Sequence, residues 1–150
     1  MEKPEGKQKE LYRILTEKSF AGIYVVQDGR FRYLNSNAAS YAGYTPDELV
    51  GLPPVDIVHP EDRENARKEG RAMLLGKKTS PSEFRVLTRD GRVRWIMETI
   101  APITWEGKPA ILGNSMDVTE RKHFEEALRD RQERFRILFE GANDAIFLLE

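Results

Sequence analysis

Apolar residues recur at helical spacing in Leu11, Tyr12, Ile14 and Leu15, which predicts a short amphipathic helix over about residues 8–18. The period then changes to that of a strand. Gly22-Ile-Tyr-Val-Val is rich in β-formers, Asp28-Gly29 is a two-residue turn signal, and Phe31-Arg-Tyr-Leu resumes the strand, so a hairpin is expected. Thr45-Pro46-Asp47-Glu48 reads as a capping box with proline at the first helical position, and Gly51 with Pro53-Pro54 ends that short helix. His59-Pro60-Glu61-Asp62 opens a longer helix, with acids where the helix dipole favours them, running through Ala66, Ala72, Met73 and Leu74 to a stop at Gly76. Three strands follow: Glu83 to Arg89, Arg92 to about Thr104, and Ala110 to Val118, separated by turns at Asp90-Gly91 and Glu106-Gly107. The order is two strands, several short helices, three strands and a helix. That order suits an α+β fold, a five-stranded antiparallel sheet with helices on one face.

After residue 118 the pattern becomes helical again. Phe124, Leu128, Arg131, Phe135 and Leu138 fall at spacings of 4, 3, 4 and 3, a heptad seam with one charged interruption. The flanking residues are almost all charged, so this helix gains little by folding alone. It needs a partner, either a twin in a parallel dimer or the flanking domains; the plainer alternative is a single amphipathic helix packed on its own sheet.

The chain also repeats itself. Residues 10–27 and 133–150 align without a gap, matching Glu10 with Glu133, Arg13 with Arg136, Ile14 with Ile137, Leu15 with Leu138, Glu17 with Glu140 and Ile23 with Ile146. The expected organisation is an N-terminal flanking helix over 1–18, a core over 19–118, a linker helix over 119–139, and over 140–150 a turn and strand beginning a second, truncated copy. A lone strand cannot bury its faces, so a longer parent protein is expected.

Composition narrows the function. With 33% charged and 39% hydrophobic residues, and 24 basic against 25 acidic, the chain reads as globular with no concentrated charge of either sign. Neither a nucleic-acid nor a direct membrane partner is expected. Met1 to Gln8 lacks the apolar core of a signal peptide, and no apolar run approaches the ~20 residues of a membrane span, so a cytoplasmic location is the expectation. There is no cysteine, which removes disulfides, thiolate nucleophiles and any cysteine-linked chromophore. No phosphate loop, H-E-x-x-H, nucleophile elbow or kinase box is present, and the chain is read as a non-enzyme.

Five segments in order resemble one family. These are Arg32-Tyr-Leu-Asn35 with Ala38, Gly43-Tyr-Thr-Pro-Asp-Glu-Leu-Val-Gly51, His59-Pro-Glu-Asp-Arg63, Arg85 with Asp90-Gly-Arg-Val-Arg-Trp-Ile96, and Asp117-Val-Thr-Glu-Arg-Lys122. Together they resemble the PAS sensor domains of bacterial and archaeal signalling proteins, across roughly residues 8–120. The resemblance implies the strand order 2-1-5-4-3, helices enclosing a small pocket, and a D-x-T junction that passes signals from sheet to output helix.

On this reading the pocket candidates are Tyr24, Val26, Phe31, Tyr41, Leu49, Ile57, Met73, Phe84, Trp95 and Met97, all equally suited to ordinary core packing. Asn35 and Asn114 are the polar candidates for ligand hydrogen bonds. Asp117 and Thr119 are the relay candidates, and the turn near Gly107 brings Asp117 beside Arg92 and Arg94, so an Asp117–Arg94 ion pair is expected. The plainer alternative is a helix cap with a surface salt bridge worth little. The dimer seam would be Phe124, Leu128, Phe135 and Leu138. His59 stands at a helix start, where capping suits it better than heme ligation, and His123 lies on the linker helix. The cofactor is left open, with histidine-ligated heme and a cysteinyl flavin disfavoured. The expected function is sensing and relay within a multidomain histidine kinase or cyclic-dinucleotide enzyme. A small ligand, a homodimer partner and adjacent PAS and output domains are the expected company, and a ligand-free dimerisation module is the alternative.

Overall fold

The computed structural model describes residues 4–148, and the side chains of residues 10, 11 and 13–142. Two compact units divide the chain, Met1–Asp117 and Val118–Glu150. The first holds α1 (Pro4–Glu17), β1 (Gly22–Gln27), β2 (Arg30–Leu34), α2 (Ser36–Ser40), α3 (Pro46–Leu49), α4 (Arg63–Leu74), β3 (Ser82–Leu87), β4 (Val93–Trp105) and β5 (Lys108–Asp117). The second is α5, Thr119–Leu148.

All strand pairs are antiparallel and the order is β2-β1-β5-β4-β3, as the resemblance implied. The hairpin at Asp28-Gly29 forms because both central residues take positive φ, 55° and 74°, which is the twist a two-residue connection requires. Glu106-Gly107 repeats the device with 49° and 78°. At the start of α3 the Glu48 carboxylate accepts from the backbone N–H and the hydroxyl of Thr45, both at 3.1 Å, satisfying amides the helix cannot.

One expected helix start is displaced. Residues Pro60–Asp62 form a 3-10 turn, and the α-helix begins only at Arg63. The cause is local chemistry. His59 Nδ1 accepts from the Glu61 N–H at 3.2 Å, so His59 is a cap. Asp62 is drawn away to β3, where its carboxylate accepts from the Arg85 backbone N–H at 2.7 Å and from the Arg85 guanidinium at 3.0 and 2.7 Å. These bonds hold the Asp62 carboxyl below the usual carboxylate range. They also fasten the start of α4 to the outer edge of the sheet.

The inner face of the sheet carries two separate apolar clusters. Val26, Phe31, Leu34, Ala38, Ala39 and Leu49 form one, between β1, β2, α2 and α3. Val58, Phe84, Val86 and Ile96 form the other, beside α4.

The second unit corrects another expectation. The internal repeat leads one to expect a turn and a strand after residue 139, but α5 continues as helix to Leu148. In the first copy, β1 is held extended by hydrogen bonds to β2 and β5. No such neighbours face the second copy among the described residues, so the helix satisfies its backbone internally. Residues 149–150 lie outside the described residues.

Candidate functional site

Between the two clusters lies a cavity of about 200 Å³. The sheet supplies its floor through Tyr24, Phe31, Phe84, Ile96, Glu98 and Ser115, and Tyr41, Ile57, Arg63 and Arg67 close it from the helical side.

One row of residues sets its chemistry. The register pairs Gly22 with Ser115, Ser115 with Glu98, and Glu98 with Ser82, so a polar band crosses β1, β5, β4 and β3 on an otherwise apolar face. Ser115 Oγ donates to the Gly22 carbonyl at 3.0 Å. Ser82 Oγ is buried and has no hydrogen-bond partner among the described residues. Glu98 Oε2 accepts from the Tyr24 hydroxyl at 2.6 Å. That bond spans β5, and the Tyr24 ring reaches Glu98 by lying over Gly113, where a Cβ would fall inside the ring.

Burial pushes the Glu98 carboxyl up to about 7, while the bond from Tyr24 pulls the other way. Glu98 is half-buried by surface area, and it lines the cavity. Burial first, and the Glu98 charge second, raise the Tyr24 hydroxyl well above the phenolic range, so Tyr24 remains the donor.

A stability consequence follows. Unfolded, Glu98 ionises near 4.5; folded, near 7. Between those values the folded state binds more protons, so stability falls as pH rises through the window and levels off above it. The loss is about 3 kcal/mol on a scale of ~1.4 kcal/mol per pH unit. Glu98→Gln keeps an acceptor for Tyr24 without the charge. Urea unfolding from pH 5 to 8 should show the wild type weakening and the variant nearly flat, and equal slopes would remove Glu98 as the cause.

Of the sequence-derived pocket residues, Tyr24, Phe31, Tyr41, Ile57 and Phe84 line the cavity. Val26 and Leu49 pack inside the first cluster, and Met73 is buried but away from the cavity. Trp95, Met97 and Asn114 stand at the opposite parity from Ile96, Glu98 and Ser115, so the inner face is one residue out of step with the expectation on both β4 and β5. Large apolar residues occupy both faces of β4, and size alone picks the wrong one. Asn35 is fully buried, but all its side-chain capacity is used inside the fold. Oδ1 accepts from Ile23 N and Ala38 N, and Nδ2 donates to the carbonyls of Thr16 and Ala21. It is a structural hub, with nothing left for a ligand.

At the end of the sheet Arg94 Nη1 stands 3.3 Å from Asp117 Oδ2, the pair expected from the hairpin, while Arg92 turns to Asp90 at 3.2 Å. Arg94 is half exposed, and such a pair stabilises little by itself. Thr119 is the first residue of α5. Along α5, Phe124, Leu128, Phe135 and Leu138 are exposed, and His123 is exposed beside them.

Residues 31–114 match the family model described as the PAS fold. The chain belongs to the PAS family. PAS domains are sensory and not catalytic, and this one is homologous to the sensor domains of histidine kinases. It is 38% identical over 84 residues to the blue-light-activated histidine kinase of Brucella ovis, covering 55% of this chain and 17% of that protein. It is 31% identical over 120 residues to the methyl sulfide methyltransferase-associated sensor of Methanosarcina acetivorans, covering 76% of this chain and 12% of that one. The PAS chain therefore spans less than a fifth of the length of the curated relatives it matches. A sensory box histidine kinase/response regulator structure from Burkholderia thailandensis superposes with a TM-score of 0.64 at 30% identity, covering 83% of this chain and 97% of that one. The PAS domain from Colwellia psychrerythraea, at 22% identity and TM-score 0.66, covering 75% and 98%, shares the fold. A chromophore of drug size needs roughly 300–1,000 Å³. The cavity offers less, and the PAS chain has no cysteine to form a thiol adduct. No helix among the described residues is long and apolar enough to cross a membrane.

Proposed function

We propose that this PAS domain is the sensing and relay segment of a longer signalling protein of the histidine kinase or cyclic-dinucleotide type. A small molecule enters the cavity, and α5 passes the change to a neighbouring output domain. One observation supports the sensing half above all: a cavity of about 200 Å³ containing a carboxylic acid whose only hydrogen-bond partner among the described residues is one tyrosine hydroxyl. A polar group held in a mostly apolar pocket without its full hydrogen-bond complement is costly to fold. Such groups persist where they have something else to hold.

The relay half is supported by chain continuity and by α5 itself. β5 ends at Asp117 and α5 begins at Thr119, so a shift in β5 is transmitted through one intervening residue, with the Arg94–Asp117 pair as the contact that reports it. The mechanism is a population shift between two arrangements of the sheet, biased by whatever binds one of them better. The seam Phe124, Leu128, Phe135 and Leu138 is apolar and exposed, and a second copy of α5 in a parallel pair covers it.

Native mass spectrometry tests both halves in one measurement. The expected spectrum is a dimer carrying a small mass that is lost under denaturing conditions. Phe135→Glu should shift the dimer to monomer without removing that mass. A ligand-free dimer would select the interaction-module reading instead. A monomer with an empty cavity would defeat the proposal entirely.

A further inference from the structure

We propose that this cavity receives a small organic ammonium ion, its cationic head against Glu98 and its apolar body between the rings of Tyr24, Phe31, Tyr41 and Phe84. The inference rests on the reading of the cavity as a ligand site and names the class of ligand.

Geometry comes first. Among the described residues Glu98 is the only acid lining the cavity, and its one hydrogen bond engages Oε2, leaving the other carboxyl oxygen without a partner there. Ser82, paired with Glu98 in the β3–β4 register, has a buried Oγ with no hydrogen-bond partner among the described residues, but it does not line the cavity. Four rings, those of Tyr24, Phe31, Tyr41 and Phe84, stand among otherwise mostly aliphatic walls, and Tyr24 and Phe31 meet edge to face with centroids 5.5 Å apart. Ring faces carry negative quadrupoles, so rings around a carboxylate make a site that attracts cations. The size fits a short ligand, since an engineered cavity of about 150 Å³ holds benzene, and this one measures about 200 Å³.

The opposite assignment has less support. Arg63 and Arg67 of α4 line the cavity, which raises the possibility of an anion. However, Arg63 Nε is engaged with the Val58 carbonyl at 3.1 Å, Arg67 is exposed, and among the described contacts the Glu98 carboxylate is met by Tyr24 and by neither arginine. An anion drawn to them would meet the Glu98 carboxyl deeper in the same space. The charged and titratable groups facing Glu98 are Tyr24 of β1, Tyr41 after α2, and these two arginines. Both tyrosines are raised from their ordinary range, chiefly by burial, and stay neutral donors near neutral pH.

The test uses three probes of one shape: benzylammonium, benzyl alcohol and benzoate, titrated into the whole chain by calorimetry, with amide NMR shifts locating the site. Benzylammonium should bind at least ~10-fold more tightly than benzyl alcohol, the combined scale of a cation–ring contact and a charge-assisted hydrogen bond. Its affinity should rise roughly 10-fold from pH 6 to 8, as a carboxyl near 7 goes from about one-tenth to about nine-tenths ionised. Glu98→Gln, which keeps an acceptor for the Tyr24 hydroxyl, should erase both effects, with benzyl alcohol binding as the check that the cavity is intact. Equal binding of alcohol and ammonium would overturn the cation assignment while keeping the cavity as a ligand site. Preference for benzoate would overturn it in favour of Arg63 and Arg67. Binding of no probe at the cavity would overturn both the inference and the ligand-binding reading beneath it.

Discussion

Asn35→Ala should lower the stability of the PAS core by about 4 kcal/mol and its melting temperature by roughly 15 °C. The size comes from what the one side chain holds. Nδ2 donates to Thr16 O at 2.7 Å and Ala21 O at 3.0 Å, while Oδ1 accepts from Ile23 N at 3.0 Å and Ala38 N at 2.9 Å. It joins the end of α1, the loop before β1, β1 itself and the first turn of α2. Truncation removes a helix cap, typically worth ~1 kcal/mol, and leaves several other backbone groups unpaired at ~1 kcal/mol or more each. Against a typical total of 5–15 kcal/mol this is a large fraction. Asn35→Asp is the sharper probe. It keeps the acceptor but aims a second acceptor at two carbonyls, so it should be nearly as damaging at neutral pH and recover partly in acid. Thermal melts across pH read both variants. If Asn35→Ala costs under 1 kcal/mol, the hub assignment is wrong.

The next largest effect is expected at Gly113, for a reason of space. The Tyr24 ring crosses β5 over this residue, and a Cβ there would sit against Tyr24 Cζ. Gly113→Ala must therefore displace the ring, which breaks the bond to Glu98. Overpacking of this kind costs ~1–3 kcal/mol, and losing a hydrogen bond to an ionised group adds a comparable amount. A destabilisation of about 3 kcal/mol is expected near pH 8, where Glu98 is ionised. The control is coupling. In a Tyr24→Val background the space is free, so Gly113→Ala should cost little, giving a strongly non-additive cycle in urea unfolding. Additive penalties would show that the ring does not lie where β5 needs a glycine.

Most of the architecture was legible because it is written in local signals. Asp28-Gly29 and Glu106-Gly107 specify turns by backbone conformation alone, and Thr45 with Glu48 specifies a helix start. These depend on neighbours in sequence, which a sequence displays. The start of α4 was displaced because Asp62 answers to Arg85, 23 residues away, a partner that no local pattern reveals. The cavity suffered most. On β4, Trp95 and Met97 outweigh Ile96 and Glu98 as apolar residues, so alternation points outward residues inward. A lone glutamate in a strand reads as a solvent residue, and only the register Ser82–Glu98–Ser115, known from the fold, places it inside. The one faint clue was Gly113 among larger β5 residues, a gap that something had to cross. Asn35 was noticed for its polarity but given the wrong task, since nothing in the sequence counts how many of its bonds the backbone already takes.

The division of the inner face into two apolar clusters has a mechanical meaning. A single continuous core melts as one drop, whereas two drops on a shared sheet can loosen one at a time, with β5, which lies between β1 and β4, as the crease between them. On the function proposed above, a ligand seated there would act as a rivet, its presence or loss setting how far β5, the strand that leads into the long helix, can flex.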